Sequence, residues 1–265
     1  MSTIHKNCRT LMVTSCKGGI GKSTVAANLG ATLASKGHKV LLIDCDFGSR
    51  CLDLILGCED EIVYDMGDVI ADAENADKAI FRFPEEPRLM FCAAPAALAD
   101  VSAEVLAAAI DALITAAAPD FAILDTAGGL SIPLSLPSDR IDLAMIVASH
   151  QPVSLRAAEK TATLLSANGI AELKLVVNSF DFNAAKDGRR AGILEMIDRS
   201  HIPLLGIVPH DGELAHAQER GLRITQLGKN LLSAPAFANI ADRLLGEQVP
   251  ILRGLRYFNR RNAYL

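Results

Sequence analysis

Ten consecutive residues, Ser15-Cys16-Lys17-Gly18-Gly19-Ile20-Gly21-Lys22-Ser23-Thr24, combine three glycines, two lysines and three hydroxyl side chains. They stand between the apolar run Leu11-Met12-Val13 and a helical pattern that opens at Gly21. Glycines let backbone N–H groups close around phosphate oxygens, and a helix N-terminus adds partial positive charge. Lys22 would reach the β- and γ-phosphates, and the Ser23 hydroxyl would ligate Mg²⁺. Lys17, Gly18, Gly19, Ile20, Gly21, Lys22, Ser23 and Thr24 are therefore read as the binding loop of a nucleotide triphosphate with Mg²⁺. The common form of this pattern has glycine five residues before Gly21, and this chain has Cys16 there.

Phosphoryl transfer needs charge neutralisation and an oriented water. Asp125 follows the apolar stretch 121–124 and precedes Thr126-Ala127-Gly128-Gly129. It suits a carboxylate that holds Mg²⁺ through water, with the glycines serving as a switch that senses the γ-phosphate. Asp44 and Asp46 occur as Ile43-Asp44-Cys45-Asp46. Alternate residues at a strand end point the same way, and two carboxylates so close repel each other unless Mg²⁺ or a lysine is near. Asp46 is assigned to orient the attacking water, and Asp44 to stand near Mg²⁺ or Ser23. The residue pattern leaves those two roles interchangeable.

The backbone must bring these groups together, and short apolar runs alternate with helical patterns along the whole chain. Runs at 11–15, 40–43, 88–92, 121–124, 143–147, 173–177 and 204–208 are predicted strands. Patterns at 22–35, 102–118, 153–167, 188–198 and 236–245 are predicted helices, with Ser102 a suitable N-cap. This alternation predicts an α/β fold, a mainly parallel twisted sheet with helices on both faces and right-handed crossovers. Half the residues are hydrophobic, 5% are aromatic and none is Trp, so the core must be aliphatic, as parallel strands covered on both faces require. Ligands bind beyond the carboxyl ends of such strands. Asp44, Asp46, Asp125, Asn178, Pro209 and Asp211 all follow predicted strands. No repeat or long linker divides the chain, so one domain over 1–250 is expected, with a tail at 251–265.

The loop carrying Lys17 resembles the deviant Walker-A loop of the MinD/ParA family of P-loop ATPases. The resemblance implies that Lys17 crosses a dimer interface and touches the partner subunit's nucleotide, making Lys17, Lys22 and Asp46 the catalytic set. It also implies ATP as the nucleotide, held at its adenine by Asn178 and by Val208-Pro209-His210-Asp211. An asparagine carries both a donor and an acceptor suited to adenine. The stretch 44–59 followed by Val63-Tyr64-Asp65 looks like the MinD branch, which is concerned with septum-site determination. That branch carries D-x-D-x-G-x-R-N-L-D-x-x-x-G and then V-Y-D. This chain has Cys51 where the branch usually has Asn, and Thr126-Ala127-Gly128-Gly129 where it usually has Ser-Pro-Ala-Gly. The implied function is an ATP-dependent dimerising switch for division-site placement, with slow hydrolysis until a protein activator arrives and with a division inhibitor downstream. Two alternatives within reach of the same residues are a partition ATPase binding DNA and a nucleotide-gated scaffold positioning polar structures.

Net charge is −5, which argues against a nucleic-acid platform over the whole surface. None of the six cysteines forms a C-x-x-C pair, so buried thiols in a reducing cytoplasm are expected rather than a zinc or iron–sulfur site. Residues 1–6 lack an apolar signal core, and no apolar run approaches the ~20 residues needed to span a bilayer. The tail 251–265 carries four arginines and no acid, which leaves the rest of the chain at −9. On a helical wheel Ile251, Leu252, Leu255, Phe258 and Leu265 share one face, opposite Arg253, Arg256 and Arg260. Such a helix suits an anionic membrane surface. The protein is accordingly expected in the cytoplasm, reversibly at the inner face of the cell membrane through two tails of an ATP-bound homodimer.

Overall fold

The computed structural model describes residues 7–15, 17–95, 101–129, 136–227 and 231–255. Eight strands are present among them: β1 (Arg9–Thr14), β2 (Val40–Cys45), β3 (Phe81–Arg82), β4 (Leu89–Cys92), β5 (Phe121–Thr126), β6 (Leu143–Ala148), β7 (Leu173–Phe180) and β8 (Leu204–Pro209). They form one sheet in the order β3-β4-β2-β5-β1-β6-β7-β8. All pairings are parallel except β3 against β4. The expected parallel α/β architecture is thus the observed one, and each of the seven predicted strands is present.

The strands are apolar without alternation because both faces are covered. Successive residues then serve opposite cores: Leu11 and Val13 of β1 face one, Met12 the other. The first core is built with α1 (Lys22–Ser35), α8 (Gly212–Gln218) and α9 (Ala234–Leu244), through Leu29, Leu214, Phe237 and Ile240. The second is built with α4 (Ala103–Ala117), α5 (Pro152–Ala167) and α7 (Ile193–Ser200), through Ile110, Leu113, Leu155 and Met196. Three shorter helices, α2 (Leu52–Leu56), α3 (Met66–Ala71) and α6 (Phe182–Lys186), lie in the connections. Ser102 caps α4 as predicted, accepting the Val105 N–H at 3.4 Å. The helix read at 188–198 begins only at Ile193, since Gly188 adopts φ +70° just past α6.

The segment 251–255 departs from the expected amphipathic tail. It is turn rather than helix, and Leu255 is buried in the core under α9. Arg253 pairs with the buried Asp242, which also holds Lys36 at 2.6 Å. Asn239 Nδ2 donates to the Arg253 carbonyl at 2.7 Å. Leu255 is thus part of the core, and Ile251 and Leu252 pack partly buried against the two cores. The remainder of the predicted tail, with Arg256, Phe258, Arg260, Arg261 and Leu265, lies outside the described residues. No described helix is long and apolar enough to cross a membrane.

Candidate nucleotide site

β1 sits between β5 and β6, so the chain leaves it toward β2 on one side while the later β5-to-β6 connection crosses to the other. A crevice opens at the carboxyl end where the order reverses. The glycine-rich loop lies there. Gly19 and Gly21 take φ +69° and +89°, conformations that only glycine adopts without strain. Gly21 is the N-cap of α1 and offers no side chain, so the first N–H groups of that helix stay free for an anion.

Two other strand ends brace the loop. After β5, the Gly129 N–H donates to the Ser15 carbonyl at 3.0 Å. Gly128 lies so close that a Cβ there would stand 3.2 Å from Gly18 Cα. Near the end of β7, Asn178 Nδ2 donates to the Ile20 carbonyl at 3.0 Å. A methyl on Gly21 would overlap that same amide. One N–H of Asn178 is thus committed to shaping the loop, and its carbonyl oxygen is the acceptor it can still offer a base.

The carboxylates occupy the other side of the crevice. Asp44 and Asp125 are register partners across β2 and β5 and are 1% and 0% exposed. Asp44 accepts the N–H groups of Asp46 at 2.8 Å and Leu52 at 3.3 Å. Neither oxygen of Asp125 has a hydrogen-bond partner among the described residues. Burial pushes Asp125 up to about 7, tempered by the nearby Ser23 hydroxyl and Lys22 ammonium. Burial, reinforced by Asp125, pushes Asp44 up to about 8. Asp46 differs from Asp44: it is half-buried, and its Oδ1 accepts the Ser49 N–H at 3.1 Å.

These residues fit a Mg²⁺–nucleotide. Buried Lys22, the Ser23 hydroxyl and the orphaned oxygens of Asp125 converge beneath an open glycine cradle; a Cβ at Gly18 or Gly19 would meet nothing within 4 Å. Among the described residues no three His, Cys, Asp or Glu side chains converge to hold a metal alone. A cation here would thus complete its shell with phosphate and water, as Mg²⁺ prefers.

On the outer edge of the loop a cleft of about 460 Å³ is lined by Lys17, Ile20, His150, Asn178, Arg190 and His210. Lys17 is exposed there. Ser179, at φ +53°, has its hydroxyl 3.0 Å from His210 Nδ1. Burial and Arg190 hold the His150 imidazole below its usual range. His210 lies in the 208–211 segment that the resemblance implied, whereas His150 and Arg190 were not expected there. His150 follows β6 and could have been found by the strand-end rule that picked out Asp44 and Asp125.

Residues 11–224 match the model of the CobQ/CobB/MinD/ParA nucleotide-binding domain. The chain is 35% identical over 246 residues to the septum site-determining protein MinD of Synechocystis sp., covering 92% of each. It is 33% identical to MinD of Bacillus subtilis over 244 residues, covering 91% of this chain and 90% of that one. Among solved structures, the MinC:MinD cell division protein complex of Aquifex aeolicus superposes with a TM-score of 0.84. That match is at 30% identity over 92% of this chain and 99% of the other.

The chain belongs to the MinD branch of the MinD/ParA family.

MinD/ParA proteins are nucleotide-binding ATPases, and the fold and loop of this family member conform to that chemistry. The residues that marked the MinD branch in the sequence prove to be a brace. Arg50 Nε donates to Asp53 at 2.9 Å, and its Nη1 lies 3.4 Å from Asp65. Asp65 in turn caps α3 through the Gly67 N–H at 2.8 Å. Arg50 thereby ties α2 to α3 across the connection that follows Asp46. Arg50→Ala leaves the buried Asp53 without its cation and is expected to destabilise the protein by roughly 1–3 kcal/mol. A urea midpoint unchanged from wild type would contradict the brace.

The adenine side of this MinD-family site needs one correction. Asp211 does not line the cleft: its Oδ1 accepts the Leu214 N–H at the start of α8, and its Oδ2 accepts the N–H and hydroxyl of Ser233 at 2.9 and 2.7 Å. Both oxygens are engaged in tying α8 to α9, so the side chain is a cap rather than a base ligand. Pro209 ends β8 buried beside Phe180, and the neighbouring His210 is the residue that reaches the cleft.

Proposed function

We propose that this chain is an ATP-driven dimerising switch of division-site placement, which hydrolyses ATP slowly until a protein activator engages it. One observation carries the reading. The lysine-bearing loop lies over a buried carboxylate pair, Asp44 and Asp125, and neither oxygen of Asp125 has a hydrogen-bond partner among the described residues. In the proposed mechanism Lys22 and the loop amides neutralise the phosphates. Ser23 would hold Mg²⁺, and Asp125 and Asp44 would support it from the strand ends. Half-buried Asp46 orients the attacking water, a role that its exposure relative to Asp44 supports. The metal's contribution is charge neutralisation at the phosphates. Lys17, exposed at the cleft, reaches the nucleotide of a second copy. The Aquifex relative was solved with MinC, which supports a division inhibitor as the downstream partner. Residues 256–265 supply the contact with anionic lipid.

Lys17→Ala is expected to abolish ATP-dependent dimerisation, read by light scattering, while nucleotide affinity stays near wild type. Loss of nucleotide binding in that variant would place Lys17 in its own site instead. For the membrane contact, vesicles of anionic and of neutral lipid are sedimented with the ATP form of the full chain and of a deletion of 256–265. Truncation at Pro250 would be uninformative, because it strips Leu255 from the core and Arg253 from the buried Asp242. Equal sedimentation of both proteins would remove the tail from the mechanism, and salt-sensitive DNA binding would favour a partition function.

A further inference from the structure

The mechanism above leaves one group at the cation position without a role. Cys51, the departure from the MinD-branch pattern, places Sγ 3.6 Å from the Ser23 hydroxyl oxygen. The sulfur and oxygen ligands of a single tetrahedral cation, bonded at about 2.3 and 2.1 Å, stand roughly 3.6 Å apart. The Cys51 thiol donates a hydrogen bond to Ser23 across a separation that a shared cation would also produce. A second observation points to a cation at the same spot. Asp125, fully buried, lies beside Ser23, and neither of its oxygens accepts a hydrogen bond among the described residues. Burial, with Asp44, Asp125 and Asp46 nearby, holds the Cys51 thiol above its usual range, so a cation is needed to draw off its proton. A thiolate is a soft ligand that Mg²⁺ does not favour, whereas Zn²⁺ and Cd²⁺ do.

We propose that Cys51 and Ser23 form a seat for a thiophilic divalent cation, Zn²⁺ or Cd²⁺, at the Mg²⁺ position of the nucleotide site. Phosphate oxygen and an Asp125 carboxylate or water complete the tetrahedron. The thiol proton passes to solvent as the metal–sulfur bond forms, with no change of oxidation state. Cys51 is then a specificity-determining residue, which sets how well this site distinguishes Mg²⁺ from thiophilic metals. The proposal rests on the reading of Ser23 as the cation ligand of the nucleotide.

The test uses the full chain with ADP and cadmium chloride. The ultraviolet absorption of a thiolate–cadmium bond is expected on titration, and excess Mg²⁺ should suppress it. Cys51→Ser should lose the band and bind Cd²⁺ about tenfold more weakly, while Cys16→Ser should keep both. An unchanged band in Cys51→Ser, or its loss in Cys16→Ser, overturns the seat. Ser23→Ala separates this from the underlying reading. If the Mg²⁺ dependence of ADP affinity survives in Ser23→Ala, the nucleotide reading falls and the seat with it. If that dependence is lost while Cys51→Ser retains the cadmium band, the seat alone falls.

Discussion

Asp125→Asn is expected to melt at a higher temperature than wild type above pH 7, in the absence of nucleotide, and to lose Mg²⁺-dependent turnover. The two effects share one cause. Asp125 is fully buried and neither oxygen accepts a hydrogen bond among the described residues, so burial, against the pull of Ser23 and Lys22 and with a smaller push from Asp46, raises its pKa from 3.8 to about 7. Its neighbour Asp44 is raised from 3.8 to about 8, second-most by Asp125 itself. Both folded-state values lie above the unfolded ones. Their contribution to stability is therefore full below pH ~4 and is lost as pH rises through 7 and 8, where the folded protein must carry charges that the unfolded chain carries freely. Replacing Asp125 with the neutral isostere removes one of those charges and its repulsion on Asp44. The gain should be roughly 1–3 kcal/mol, or about 2–4 °C for each, and larger at pH 8 than at pH 6. Mg²⁺–ADP should narrow the gap, because the cation compensates the same charges in wild type. Turnover should fall roughly a hundredfold or more, since outer-shell support for the metal is lost. Thermal melts at both pH values decide it: a lower Tm for the variant at pH 8 would show that Asp125 is satisfied in some other way.

Much of this site could be read from the sequence because its chemistry is local. The loop carries its glycines, lysines and Ser23 within ten residues, and its helix begins at Lys22 as the pattern required. Asp44 and Asp125 were legible because parallel strands end where ligands bind. Their sharing of one register pair, and the orphaned oxygens that follow, belong to tertiary structure. Asn178 shows the limit more sharply. Its strand-end position marked it as a site residue and the family resemblance implied a base ligand, but its bond to the Ile20 carbonyl joins residues far apart in the chain. Asp211 precedes Gly-Glu-Leu at a helix start, a local signature of a cap that the family resemblance outweighed. The segment 251–255 reads as amphipathic helix by periodicity, yet the ion pair from Arg253 to buried Asp242 and the burial of Leu255 hold it on the body. The helices α2, α6 and α8 are too short for periodicity to register, and β3, two residues long, exists only through its pairing with β4.

Gly21→Ala should have an effect as large as that of Asp125→Asn, through geometry instead of charge. Gly21 takes φ +89°, a conformation that costs an alanine on the order of 1–3 kcal/mol. Its new methyl would also overlap the Asn178 amide, which must then retreat and release the Ile20 carbonyl. The carbonyl direction at Ile20 sets the amide direction at Gly21, so the phosphate-facing N–H groups lose their alignment with the start of α1. Affinity for Mg²⁺–ADP should fall at least about a hundredfold, the equivalent of roughly 3 kcal/mol. Two further variants divide the causes. Gly18→Ala, whose Cβ meets nothing within 4 Å and whose φ is not positive, should leave the nucleotide-free melting temperature near wild type. Combining Gly21→Ala with Asn178→Ala relieves the overlap but not the backbone cost, so stability should recover in part while affinity does not. The two substitutions would then be non-additive, as expected of groups in direct contact. Wild-type affinity in Gly21→Ala alone would mean that Asn178 does not hold the loop in its binding shape.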